Sequence, residues 1–278
     1  MSIIAFWSNG KEETAKTLSI AAIATYMAMQ HNYKILVVST AYNDDTLETC
    51  FWKKDRQLQL FSGLNIKKQD IASGVEGLAR AISSNKVTPE IITNYTKIVF
   101  RDRLEILLGP STTSYEEYEK FLPLYTDILK SANKYYDLVF VDLNKGTEKE
   151  GIVDVLTMSD LVIINITQRL KTIDEAVFLR EKYPIFSRNN IMYLIGRYDK
   201  FSKYTSKNVA RYMGEKKEIS TIPYNTLFFE SCNEGKVADY FLRYKKMNPD
   251  DRNSIFINEV DKTCERIIYK LQELQMKK

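Results

Sequence analysis

Seven short apolar runs, each bounded by polar or helical sequence, restrict this chain to few architectures. They are Ile3–Trp7, Lys34–Ser39, Leu104–Leu108, Leu138–Leu143, Leu161–Ile166, Ile191–Ile195 and Ile219–Ile222. Most are too short for buried helices, and they are rich in Ile, Leu and Val without polar alternation. Strands buried on both faces of a parallel sheet have that pattern. Helical periodicity fills the intervals near 15–30, 73–84, 115–134, 148–158, 172–183 and 204–213, and Phe228–Lys246 precedes a long helix near 252–276. Such alternation predicts an α/β fold, a doubly wound and mostly parallel sheet with helices on both faces. With no internal repeat or Pro-rich linker, residues 1–278 read as a single domain. In such folds ligands sit at the carboxyl ends of the strands, so the loops after the strands are where function is sought.

Composition narrows the function classes. With 44% hydrophobic and 27% charged residues, the chain can build both a core and a solvated surface. Its cysteines (Cys50, Cys232, Cys264) are far apart in sequence, and with a lone histidine, His31, they lack zinc-ligand spacing. Reduced thiols in a cytoplasmic protein are the expected reading. Ile3–Trp7 reads as a buried strand rather than an export signal, and no apolar run nears the ~18 residues of a membrane span. The net charge of +4 permits an acidic partner without arguing for nucleic acid.

The first run leads into Ser8-Asn9-Gly10-Lys11-Glu12-Glu13-Thr14-Ala15-Lys16-Thr17, and a helix begins at Leu18. A phosphate-binding loop between strand and helix has the pattern G-x-x-x-x-G-K-[ST]. Gly10, Lys16 and Thr17 match it, and Ala15 stands where the second glycine belongs. Backbone N–H groups at a helix start attract phosphate, a lysine neutralises it, and a hydroxyl at Thr17 is suited to Mg²⁺. A lysine and threonine opening a helix for solubility would match equally well at this point.

With Lys11 the loop resembles the deviant phosphate loop of the ParA/MinD ATPases, G-K-G-G-x-G-K-[ST]. In that family the extra lysine reaches across a dimer to the partner's nucleotide. Both lysines are kept, and three glycines have become Glu12, Glu13 and Ala15. Three later segments extend the resemblance. Tyr136–Gly146 is similar to the family's strand ending in Asp-Thr-Pro-x-Gly, with Asp142 and Gly146 matched and the proline absent. Ile191–Asp199 is similar to the strand ending in Asn-Arg-Tyr-Asp, with Gly196 replacing the adenine-contacting asparagine and Arg197 kept. Ile222-Pro223-Tyr224-Asn225 and Glu230–Lys236 are similar to the I-P-Y-D…E-A-x-N-x-G segment, whose proline loop packs beside adenine. An aspartate N-cap, a surface arginine and an Asn-Glu-Gly helix C-cap are the plain structural readings of these pieces.

The resemblance implies ATP and Mg²⁺ as ligands. Gly10, Lys11, Glu12, Glu13, Thr14, Ala15, Lys16, Thr17, Leu18, Gly146, Arg197 and Pro223 would surround the nucleotide, Thr17 and Asp142 would hold the metal, and Lys11 and Asp142 would serve catalysis. The family's Asp-x-Asp after the second strand is missing. Ser39 and Ala41 take those places, and Asp44 and Asp45 follow where a turn at Asn43-Asp44 is also expected. A side chain at a loop position needing positive φ costs roughly 1 kcal/mol or more, and two carboxylates repel a triphosphate. The loop therefore predicts nucleotide binding with weak or absent hydrolysis. Glu13 lies three residues before Lys16 and Glu12 adjoins Lys11, so these carboxylates are candidates to occupy the anion site themselves.

Residues 200–217 carry Lys200, Lys203, Lys207, Arg211, Lys216 and Lys217 against Glu215. Plasmid-segregating relatives bind DNA nonspecifically through such surface, but a solvated helix face has the same charges and is the reading adopted. The apolar stripe of Ile267, Ile268, Leu271, Leu274 and Met276 is expected to pack on the sheet rather than on a membrane. The resemblance implies a homodimer serving a positioning apparatus (pilus, secretion, conjugation, plasmid or chromosome), with the eroded loop most like the CpaE/TadZ branch. A scaffold dimerising without nucleotide and a metabolic P-loop enzyme are the competing readings.

Overall fold

A computed structural model describes residues 1–9, 13–53, 74–83, 89–110, 112, 114–144, 150–244 and 251–277. Its strands are β1 (Ser2–Trp7), β2 (Ile35–Ser39), β3 (Lys97–Phe100), β4 (Leu104–Leu107), β5 (Leu138–Asp142), β6 (Leu161–Ile166), β7 (Ile191–Tyr198) and β8 (Ser220–Pro223). They form one sheet in the order β3-β4-β2-β5-β1-β6-β7-β8. Every neighbouring pair is parallel except β3 with β4. The order reverses at β1, which lies between β5 and β6, and a crevice opens at such a point above the strand ends.

The buried runs explain the two-sided sheet. Along β1, Ile3, Ala5 and Trp7 face one core while Ile4 and Phe6 face the other. The first core is closed by α3 (Gly74–Ser83), α4 (Tyr115–Glu119), α5 (Tyr125–Ala132), α6 (Glu150–Met158), α7 (Leu170–Lys182) and α8 (Ser206–Met213). The second is closed by α1 (Lys16–Gln30), α2 (Thr46–Phe51), α9 (Thr226–Glu234), α10 (Val237–Tyr244) and α11 (Arg252–Met276). All the expected strands are present, within a residue or two at most ends. β7 runs further than expected, to Tyr198, through a bulge at Arg197.

Four departures have local causes. β3 was not expected, because it is a half-exposed edge strand with Lys97 and Ile98 facing solvent, which blurs the apolar signal. The six-residue α2 was also missed, since a helix this short shows little periodicity. The expected helix over 115–134 is broken into α4, a 3₁₀ turn at Leu122–Leu124 and α5. Pro123, inside that turn, has no N–H to continue an α-helix. Phe228–Lys246 is likewise divided, because Gly235 closes α9 in the left-handed region at φ 72°. The Asn-Glu-Gly stretch thus has its plain structural role.

α11 packs as expected. Val260, Cys264, Ile267 and Leu271 are buried, Ile268 and Leu274 pack against the same core, and Met276 alone of the stripe is exposed. The helix also covers the β8 edge, where Thr263 Oγ1 donates to the Thr221 carbonyl at 3.0 Å. Pairing another strand there is blocked by the helix. Among the described residues no helix is long and apolar enough to cross a membrane.

Candidate functional site

The crevice beside β1 is bounded by the start of α1. Gly10, Lys11 and Glu12 lie outside the described residues, as does Gly146. From Glu13 onward the loop bends into α1 through Ala15, whose φ of 52° and ψ of 35° are left-handed. The expected positive φ is therefore at the glycine-to-alanine position. Ala15 offers no side-chain cap and the first turn of α1 has no acid. The N-terminal N–H groups and the positive end of the helix dipole thus face the crevice without an anionic side chain of their own turn.

Asp142 ends β5, and its backbone is fixed between β1 and β2 by register with Phe6 and Ser39. Its carboxylate is almost fully buried, at 2% exposure. Thr17 Oγ1 donates to Oδ2 at 2.7 Å. The Lys16 ammonium lies 2.7 Å from Oδ1 and also donates to the Leu143 carbonyl oxygen. The contact with Oδ1 is an ion pair off hydrogen-bond alignment, so that oxygen has no hydrogen-bond partner among the described residues. Lysine, hydroxyl and carboxylate thus converge at the helix start, and a lone pair on Asp142 remains. That donor set fits a polyphosphate with a hard divalent cation, which takes oxygen ligands.

Glu13 does not occupy the anion site. Its side chain is exposed and reaches Arg197 at 3.5 Å, while Lys16 turns to Asp142. Glu13 and Lys16 straddle the left-handed Ala15 instead of sharing one helix face, and the buried carboxylate offers the lysine a less hydrated partner. The corresponding idea for Glu12 falls outside the described residues.

β7 borders the other side. A side chain at Gly196 would put its Cβ 2.1 Å from the Thr14 carbonyl oxygen, so the loop backbone lies where a side chain would otherwise stand. Arg197 follows in the left-handed region at φ 53°, which turns it out of the strand plane. A cleft of about 320 Å³ runs from Lys16 and Thr17, past Thr14, Ala15 and Leu18, to Arg197, Pro223, Tyr224 and Phe229. The phosphate loop, Arg197 and Pro223, picked out separately along the chain, line one cavity. Asp142 lies beneath it.

The loops after β2 and β5 are tied together in a way the sequence did not reveal. Thr40 donates to the Asp142 carbonyl and accepts from the Asn144 N–H at 2.7 Å. The Asn144 amide donates to the Tyr118 hydroxyl at 2.9 Å, and that hydroxyl donates to the Thr40 carbonyl at 2.7 Å. Burial pushes the Tyr118 pKa up to about 12, which keeps the hydroxyl a donor. Tyr42 and Tyr115 pack on the same ring. Nothing in sequence links Tyr118 to the site, because α4 is brought there by the chain's path over the sheet. Ser39 Oγ accepts from the Ala41 N–H, and Asp44 lines the cleft while accepting from both donors of Thr46. Asn43 is left-handed at φ 48°, so the expected turn is present.

No family model and no curated protein matches this sequence. Solved structures do match. A ParA family ATPase from Chlorobium tepidum is 19% identical with a TM-score of 0.66, over 94% of this chain and 96% of that one. The septum site-determining protein MinD of Pyrococcus horikoshii, solved with Mg-ADP, is 15% identical with a TM-score of 0.65, over 96% of this chain and 95% of the other. A putative plasmid partition protein from Borrelia burgdorferi, bound to AMPPNP, is 17% identical with a TM-score of 0.58, over 99% and 98%. This chain has the α/β fold of the ParA/MinD-type P-loop ATPases.

Proposed function

We propose that the chain binds a nucleoside triphosphate with Mg²⁺ in the cleft at the start of α1 and works as a ParA/MinD-like positioning factor with little or no hydrolysis. The observation that carries this reading is the convergence of Lys16, Thr17 and buried Asp142 beneath an uncapped helix N-terminus. Lys16 would exchange Asp142 for phosphate oxygens, and Thr17 and Asp142 would hold Mg²⁺, directly or through water. The metal, when bound, neutralises phosphate charge. Nucleotide ligands in neighbours of the same fold support the reading, as do their roles in septum siting and plasmid partition.

Weak hydrolysis follows from the positions around the nucleophile. Hydrolysis needs a group that orients water in line with the terminal phosphate. Ser39 and Ala41 carry no carboxylate, and Asp44 is held in the turn by its Oδ1, which accepts both bonds from Thr46. Homodimerisation, a partner in a positioning apparatus, a cytoplasmic location and affinity with the CpaE/TadZ branch belong to the same proposal. Calorimetric titration with Mg-ATP tests binding, and no heat at millimolar nucleotide would end the reading. Phosphate release under saturating ATP is expected to stay at background.

One observation favours a scaffold that dimerises without nucleotide. Lys16 is already paired with buried Asp142, so the charge of this lysine is met without a phosphate. Oligomeric state by light scattering separates the two: an ATP-dependent shift from monomer to dimer supports the first reading, and a nucleotide-independent dimer the second.

A further inference from the structure

Resting on the nucleotide reading above, we infer that this cleft takes nucleoside triphosphates by the flat face of the base and does not distinguish adenine from guanine. With phosphates seated at the start of α1, the nucleoside extends toward Arg197, Pro223, Tyr224 and Phe229, at the far end of the same cavity. Choosing between purines requires donors and acceptors aimed at the base edge, because a group that pairs with one base is left unpaired by the other. Among the described side chains at that end, the Tyr224 hydroxyl and the Arg197 guanidinium can reach a base edge, and the remaining polar side chain, Asn225, is already bonded. The Asn225 amide donates to the Asn253 Oδ1 at 3.0 Å and to the Arg252 carbonyl at 3.4 Å, while its own oxygen accepts from the Phe228 N–H at 2.8 Å. The Tyr224 N–H is bonded to the Tyr198 carbonyl and the Phe229 N–H to the Asn225 carbonyl. Gly196 offers no side chain, and the Thr14 carbonyl blocks a larger residue.

Flat surfaces remain. The Tyr224 and Phe229 rings are partly exposed, with centroids 6.2 Å apart, and the Arg197 guanidinium is half exposed opposite Glu13. Rings and guanidinium planes stack on any base, and stacking tolerates sequence. Arg197 can also donate to guanine acceptors, but its backbone is held at positive φ and its side chain is directed to Glu13.

The test is calorimetric titration of the full chain with the magnesium complexes of ATP, GTP and tripolyphosphate. The inference expects ATP and GTP affinities within about threefold and tripolyphosphate at least about tenfold weaker. Tyr224→Ala should weaken both nucleotides by a similar factor, about tenfold, and Tyr224→Phe, which keeps the ring, should restore both. A preference above about tenfold for either purine would overturn the inference while leaving nucleotide binding intact. Tripolyphosphate binding as tightly as ATP would also overturn it, since the base would then add nothing. Failure of all three ligands to bind would remove the nucleotide reading, and this inference with it.

Discussion

Ala15 and Lys16 stand side by side at the start of α1, and their substitutions should have opposite effects. Ala15 is held left-handed at φ 52°, which costs a residue with a Cβ about 1–2 kcal/mol. Glycine removes that strain but loses more freedom on folding. Ala15→Gly should therefore raise stability by about 0.5–1 kcal/mol in urea unfolding; a loss of similar size would show that the bend is not left-handed. Lys16→Ala leaves the 2%-exposed Asp142 without its cation. Breaking a buried pair from one side costs on the order of 3 kcal/mol. Adding Asp142→Asn to that variant should recover part of the loss, because the stranded charge is gone. An additive double variant would mean that the pair is not coupled.

At the end of α9 the chain lies close against the end of α2. Gly235 takes φ 72°, and a Cβ there would lie 2.4 Å from the Lys53 backbone nitrogen, just past the end of α2. Left-handed geometry and close approach both demand glycine. Gly235→Ala should cost about 1–3 kcal/mol, read from the denaturation midpoint, and separate α9 from α2. The same two helices carry Cys50 and Cys232, both buried and neither in a disulfide. On the opposite side of the sheet, the Thr40–Asn144–Tyr118 bonds brace the strand ends that shape the cleft floor.

Across the whole molecule both cores bury neutral tyrosines. Burial pushes the pKa values of Tyr118 and Tyr193 up to about 12 and raises those of Tyr125, Tyr136 and Tyr240 as well. A group whose folded value is raised stabilises fully below its unfolded value, near 10 for tyrosine, and loses that contribution as pH rises through the folded value. Stability should therefore fall steeply from about pH 10 to 12, with the last phenolates forming as the helical signal is lost. Titration of all 18 tyrosines near 10 in a still-folded chain would contradict the burial. Both cores contribute to this behaviour, since Tyr118, Tyr125, Tyr136 and Tyr193 lie in one and Tyr240 in the other.

The strands and their two-faced burial were legible in sequence because a run such as Ile3–Trp7, apolar at successive positions, can be dry on both sides only inside a sheet. The loop's place between β1 and α1 was legible too, as was a positive φ among its lost glycines, since both are local; that Ala15 is the residue bearing it came from the structure. What Lys16 bonds was not. Its partners in space, Asp142 and Leu143, are more than a hundred residues away and adjacent only because β5 was inserted beside β1. The near neighbour Glu13 lost that competition to a buried carboxylate. Sequence spacing determines which groups lie along one element, whereas strand order decides which elements share a cavity, and the choice among charged partners follows from burial that only the assembled sheet creates.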